Sequence, residues 1–290
     1  MKTRLMLLFI LFTSTVCGQT VKIKSHSLLN LASEGKAFYP VFNPDGTQLL
    51  YTTENYKGLN LYNIQTREKK LITTDEGAGY SPSFSNDSKQ IYYRQVSRKL
   101  GRQYKTLMSF DATSQKTATL SEPIRNVREL VKLQKKATKR GILSSVSVCT
   151  ENLKIVLYRN GNRTEMEPLG KVAGYIWTSL SPNGQMILFT AASKGTFVCD
   201  LTGKVIATLG KINAPVWYDN EYVVGMEDKD DGSFITSSKI VIASVDGKLR
   251  QNLTSDEMIA LYPAASSVSK RIAYCTQKGE LFIMEIEINH

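Results

Sequence analysis

The stretch "FNPDGTQLLYT", Phe42 to Thr52, joins a Pro-Asp-Gly turn to an apolar run. Proline presets the first turn angle, and glycine accepts the left-handed conformation at its end. Leu49, Leu50 and Tyr51 then read as a strand. A lone hairpin of this kind buries little. The same pattern, however, returns along the chain.

"YPVFNPDGTQLLYT" spans Tyr39 to Thr52, and "SPSFSNDSKQIYYR" spans Ser81 to Arg94, an offset of 42 residues. "TSLSPNGQMILFT" follows from Thr178 to Thr190. Weaker copies begin at Ala214 ("APVWYDNEYVVGM") and Tyr262 ("YPAASSVSKRIAYCT"), with Pro215 and Pro263 standing where Pro40 stands in the first. Most copies continue into a second turn and strand, as in "LNLYNIQ", "KTLMSFDA", "GTFVCDLTG", "KIVIASVDG" and "GELFIMEIE". A missing copy belongs near Arg125 to Lys171, where "VRELVKL", "ILSSVSVC" and "LKIVLYRNG" are candidate strands.

The units fall near residues 32–74, 75–122, 123–171, 172–209, 210–255 and 256–290. A period in the forties suits four-stranded sheets stacked radially, each face covered by a neighbour. The predicted fold class is all-β. The segment from Val21 to Leu31 reads as the outer strand missing from the final unit, and closure of the ring there removes two exposed sheet edges.

These repeats resemble the PD40, or WD40-like, repeats of the TolB-type six-bladed β-propeller family. That family's pattern is aromatic-Ser-Pro-x-aromatic-Ser-Pro-Asp-Gly, followed by Ile-x-aromatic. It is met by Tyr39-Pro40-Val41-Phe42-Asn43-Pro44-Asp45-Gly46 with Leu49-Leu50-Tyr51, and again at Ser81–Ser88 and Leu180–Gly184. The resemblance implies a six-bladed β-propeller and a secreted or periplasmic binding scaffold. Some propellers with similar repeats belong to enzymes.

The opening "MKTRLMLLFILFTSTVCGQT" reads separately, as a basic start, an apolar run and a small-residue cleavage site. Residues 1–18 are expected to be a signal peptide, and residues 19–290 a single propeller domain in the periplasm or outside the cell. A lipid anchor at Cys17 is the alternative. No later segment is long and apolar enough for a transmembrane helix. Cys149, Cys199 and Cys275 sit in strand-like contexts and read as buried free thiols, with one disulfide as the alternative.

Histidine chemistry is sparse, since His26 and His290 are the two histidines. No His-Glu-x-x-His or Gly-x-Ser-x-Gly motif occurs, and no catalytic residue or cofactor is assigned. "MEDKDDGSF" offers carboxylates at Glu227, Asp228, Asp230 and Asp231. Calcium is a candidate ligand there, against a solvated loop, because the spacing departs from an EF-hand.

The net charge of +11 is unevenly spread. Arg125, Arg128, Lys132, Lys135, Lys136, Lys139 and Arg140 face Glu129 alone, and "SRKLGRQYK" adds Arg98, Lys99, Arg102 and Lys105. Such a field suits an acidic protein or an anionic glycan. Export and the lack of a dedicated motif argue against nucleic acid. The candidate partner-binding residues are Arg128, Lys132, Lys135, Lys136, Lys139 and Arg140, with Trp217 and Tyr218 near the channel or an entrance. The expected function is a non-enzymatic scaffold that binds an envelope or extracellular protein. A carbohydrate-binding or carbohydrate-active propeller, or a structural envelope component, is the alternative.

Overall fold

The computed structural model describes residues 19–31, 35–138 and 146–289; within its one long helix the side chains of residues 127, 128, 135 and 136 are not described. The signal-peptide and Cys17 readings lie outside these residues. Six antiparallel sheets form the blades of a propeller, and the strands of each are named A to D from the centre outward.

Blade 1 comprises Phe38–Phe42, Gln48–Thr52, Leu59–Asn63 and Lys69–Thr73. Blade 2 comprises Ser83–Phe84, Gln90–Lys99, Arg102–Asp111 and Thr117–Thr119. Blade 3 has three strands, Val146–Glu151, Lys154–Arg159 and Asn162–Met166. Blade 4 runs through Tyr175–Leu180, Met186–Ala191, Gly195–Asp200 and Val205–Gly210. Blade 5 uses Asn213–Trp217, Tyr222–Asp230, Ile235–Ser244 and Arg250–Asn252. Blade 6 takes Ala260–Ser266, Arg271–Thr276 and Leu281–Asn289.

The fourth strand of blade 6 is Thr20–Leu28, from the other end of the chain. It runs antiparallel to Leu281–Asn289, with Val21 opposite Ile288 and Leu28 opposite Phe282. Val21 is buried in the cluster shared by blades 5 and 6. Its N–H donates to Gln251 Oε1 at 3.0 Å, and its carbonyl accepts from Gln251 Nε2 at 2.6 Å. Ring closure by the N-terminal strand is as the sequence predicts.

The Pro-Asp-Gly turn explains the repeat. The Gly46 N–H donates to Asn43 O at 3.0 Å, and the Thr47 N–H to Asp45 Oδ1 at 2.9 Å. Gly46 has φ +70°, and a Cβ there would meet Ser266 and Ser269 of blade 6 at 2.4 Å. The buried Asn43 amide donates to Ser88 Oγ at 3.2 Å, tying this turn to its counterpart in blade 2. The repeat is therefore both a local turn and a contact between neighbours.

Apolar clusters join blade 6 to blade 1, 1 to 2, 3 to 4, 4 to 5 and 5 to 6. Between blades 2 and 3 the arrangement differs. Blade 2's far face, Tyr92 and Leu107, is covered by the helix Val127–Thr138 through Leu130. "VRELVKL", expected as a strand, is the start of that helix. Leu130, Leu133 and Ala137 recur at helical spacing, and the segment has no glycine or proline to interrupt it. Of "ILSSVSVC", the first residues lie outside the described ones and Val146 begins strand A of blade 3. "LKIVLYRNG" forms strand B as expected.

Cys199 and Cys275 are buried free thiols, and Cys149 lies at intermediate depth with its Sγ donating to Glu151 Oε1 at 3.6 Å. Burial pushes Cys199 up to about 12 and Cys275 up to about 11.

Deleting Thr20–Leu28 is expected to lower Tm by more than about 5 °C, because it opens the edge of blade 6 and uncovers part of its core. An unchanged melting curve would show that the ring closes without it.

Several turn aspartates sit below the usual carboxylate range because turn donors hold the charged form. Asp246 is held near about 2 by the Ser244 hydroxyl and then the Lys248 N–H. Asp87 is lowered by Ser85 and Lys89, and Asp231 by the Phe234 and Ser233 N–H groups. The folded pKa lies below that of the unfolded chain, so the unfolded chain takes up protons first as pH falls. This stabilisation is complete above the ordinary aspartate pKa and is lost as pH falls toward about 2. Asp246→Asn should therefore flatten the dependence of Tm on pH between about 4 and about 2; an equal slope in both proteins rejects this account.

Candidate ligand-binding face

The topology gives the propeller two unlike faces. One carries the A–B and C–D turns, which bond to one another, as where the Ile64 N–H donates to Thr47 O at 2.9 Å. The other carries the B–C loops and the connections from each strand D to the next strand A. On this second face stand the helix, the long hairpin Gln90–Asp111 of blade 2 and the long hairpin Tyr222–Ser244 of blade 5.

The helix is fixed from below. Leu130 is fully buried, and the nearly buried Gln134 donates from Nε2 to Ser81 O at 2.8 Å and Ser83 Oγ at 3.0 Å. These bonds anchor it to the start of blade 2's innermost strand. Lys132 is exposed. By the helical repeat Lys132 falls on the side of the helix opposite Leu130 and Gln134. Lys139 and Arg140 lie outside the described residues. On the neighbouring basic hairpin, Arg98 is engaged in a paired contact with Glu76.

Closer to the centre, each strand A except that of blade 3 enters through a left-handed residue that is not glycine: Tyr39, Ser81, Trp177, Ala214 and Tyr262. Such a backbone costs roughly 1–3 kcal/mol per residue and is held by its surroundings. Tyr39 stacks on Tyr56 with centroids 4.5 Å apart and meets Tyr262 at 4.7 Å. Tyr56 meets Tyr80 edge-on at 5.2 Å, and Arg94 lies 4.9 Å from the Tyr80 centroid. A continuous aromatic array therefore crosses from blade 6 through blade 1 to blade 2. Burial, and then Tyr56, pushes the Tyr39 hydroxyl pKa up.

Beside Tyr56 and Tyr80 a cavity of about 350 Å³ opens, which Arg94, Val96, Gln103 and Lys105 also line. Tyr51, Tyr93 and Tyr175 pack between blades and Tyr92 packs under the helix, whereas Tyr80 is 48% exposed and Trp177 is 42% exposed. Tyr56 and Arg94 were not singled out from sequence. Their signal lay in Arg94, which replaces a threonine in the repeated strand end "LLYT", "IYYR", "ILFT".

Trp217 and Tyr218 take other positions. Tyr218 is buried in the core between blades 5 and 6 and presents no surface to a partner. Trp217 packs at intermediate depth against the cluster between blades 4 and 5.

The acidic carboxylates diverge. Glu227 pairs with Arg250 at 2.9 Å, and Asp228 accepts from Asn213 Nδ2 at 2.7 Å. Asp230 and Asp231 accept N–H bonds from their own loop. Among the described residues no three His, Cys, Asp or Glu side chains gather as metal ligands.

The chain is a six-bladed β-propeller with an aromatic array on its loop face. Similar solved structures include TolB from Acinetobacter baumannii, with TM-score 0.53 and 18% identity over 80% of this chain and 58% of that one. Oligogalacturonate lyase from Vibrio parahaemolyticus has TM-score 0.60 and 10% identity over 92% and 96%. The propeller domain of Cps50 (Swd1) from Myceliophteria thermophila has TM-score 0.54 and 11% identity over 92% and 99%. At these identities the likeness is one of fold, and the chain spans less than two thirds of that TolB structure. No protein-family model and no curated protein matches the sequence.

Leu130→Ala should cost about 2–5 kcal/mol in urea unfolding, as expected for a large-to-small change in a packed core. A cost within about 0.5 kcal/mol, the range of surface substitutions, would mean that the helix is not a structural part of blade 2.

Proposed function

We propose that the protein is an exported, non-enzymatic scaffold that binds an acidic protein segment on its loop face. The observation that carries this reading is the coincidence of the helix with its exposed Lys132, the basic hairpin and the aromatic array among the connections of one face. Rigid strands position these groups, positive charge steers an acidic partner toward them, and the aromatic surface supplies area for a close contact. The periplasm or the extracellular space is the proposed location, from the expectation that residues 1–18 are a signal peptide. The opposite face suits this role less, because its turn side chains bond to one another.

No helix among the described residues is long and apolar enough to cross a membrane. An acidic polysaccharide is the competing ligand for a basic face, and the same experiment separates the two. Purified protein is used to capture partners from an envelope extract, beside a variant with Lys132, Lys135 and Lys136 changed to serine. The reading requires a stoichiometric protein partner retained by the wild type and weakened about tenfold or more in the variant, with Tm unchanged. Equal retention by both proteins, or enrichment of a glycan alone, overturns it.

A further inference from the structure

Arg94 is a buried charge without a counter-charge. It ends the well-packed part of strand B in blade 2 and is only 4% exposed. Its Nε is shut off from solvent without an acceptor. Among the described residues no carboxylate pairs with it, and its recorded contact is the ring of Tyr80. Burial lowers its pKa, and Tyr80 is what opposes that shift.

The same position elsewhere in the propeller is satisfied. Thr52 in blade 1 donates to Gly58 O at 2.7 Å, and Thr190 in blade 4 shares a 2.6 Å bond with Thr196. Blade 2 therefore exchanges a small, bonded hydroxyl for a guanidinium that costs free energy to bury. The guanidinium lines the cavity beside Tyr56 and Tyr80, where a ligand can meet it.

The walls define the ligand. Arg94 and Lys105 place positive charge at the cavity, and Gln103 adds an amide. The one carboxylate on the wall, Glu76, is held by both terminal nitrogens of Arg98. The tyrosine rings and Val96 make the remainder largely apolar. A guanidinium fork matches a carboxylate, and the apolar wall matches a short hydrocarbon stem better than a ring of hydroxyls. About 350 Å³ is at the small end for a ligand site and suits one or two residues of a chain.

We propose that this cavity is a carboxylate seat for an acidic peptide: Arg94 receives the carboxylate, Lys105 supports it, and Tyr56 and Tyr80 flank the stem. The choice of a peptide rests on the protein-binding reading above. The carboxylate belongs to a Glu or Asp side chain or to a chain end.

The test uses purified full-length protein and an array of short peptides. Each bears Glu or its Gln isostere, with a free or an amidated C-terminus. Oligogalacturonate is the sugar probe. Binding is followed through the Arg94 Nε–H resonance and by titration. Peptides with a carboxylate should shift that resonance and bind about tenfold or more tighter to the wild type than to Arg94→Gln, the loss of one charge-assisted bond. Retained binding by amidated Glu peptides assigns the seat to a side chain; loss on amidation assigns it to a chain end.

Stability gives a second readout. Without peptide, Arg94→Met should raise Tm, because it removes an unpaired buried charge. Equal affinity for Glu and Gln peptides, indifference to Arg94→Gln, or a lower Tm for Arg94→Met overturns the seat. So does binding of oligogalacturonate with no peptide bound. If the captured partner depends on Lys132, Lys135 and Lys136 while no peptide responds to Arg94, the seat fails and the scaffold reading stands. If peptides respond to Arg94 while the capture shows no dependence on the lysines, the seat stands and the basic-helix reading fails.

Discussion

The structure depends on a two-sided burial requirement. Each blade is a sheet with apolar side chains on both faces, as Leu49 and Tyr51 face one way and Leu50 the other. A single sheet exposes at least one of those faces. A closed ring covers both, provided that its last blade is complete. Thr20–Leu28 completes it, and by burying Val21 beside blade 5 it makes the two chain ends part of one core. Pairing between the first and last strands therefore closes a ring whose other sheets are each built from consecutive strands of the chain.

The blade 2–3 junction shows what happens where that solution is changed. Blade 3 carries polar groups on the face of its sheet turned away from blade 4. Arg163 bonds to Glu151 at 3.1 Å and Glu165 at 3.0 Å, and Lys154 bonds to Glu165 at 3.1 Å. Such a face gives blade 2 little to pack on. The helix supplies the missing apolar cover for Tyr92 and Leu107 through Leu130, and Lys132 on the same helix is exposed.

Much of this was legible because the deciding signals are local. Pro44-Asp45-Gly46 specifies a turn through backbone angles, and Leu49-Leu50-Tyr51 specifies a strand through composition; repetition then gives the ring. Blade 3 was less legible because its copy has no Pro-Asp-Gly turn and a helix stands before it. "VRELVKL" has strand-like β-branched residues at Val127 and Val131, and the helical recurrence of Leu130, Leu133 and Ala137 emerges over a longer window. Tyr218 was misread for another reason. Its sequence neighbours place it at a strand end, and only tertiary packing shows that this end is roofed by blade 6. The aromatic array joins three blades, so no single repeat contains it.

The division of labour between the faces follows from the same turns that reveal the fold. The turns of one face bond from blade to blade: Asn43 reaches Ser88, and the Asn183 N–H donates to Asn220 Oδ1 at 2.9 Å. The loop face is built from strained strand entries and long hairpins, and it contains Arg94 without an acceptor for its Nε. Stability alone favours the threonine found at this position in blades 1 and 4. The carboxylate seat proposed for blade 2 accounts for that departure, at a site where an aromatic wall and a cationic end meet.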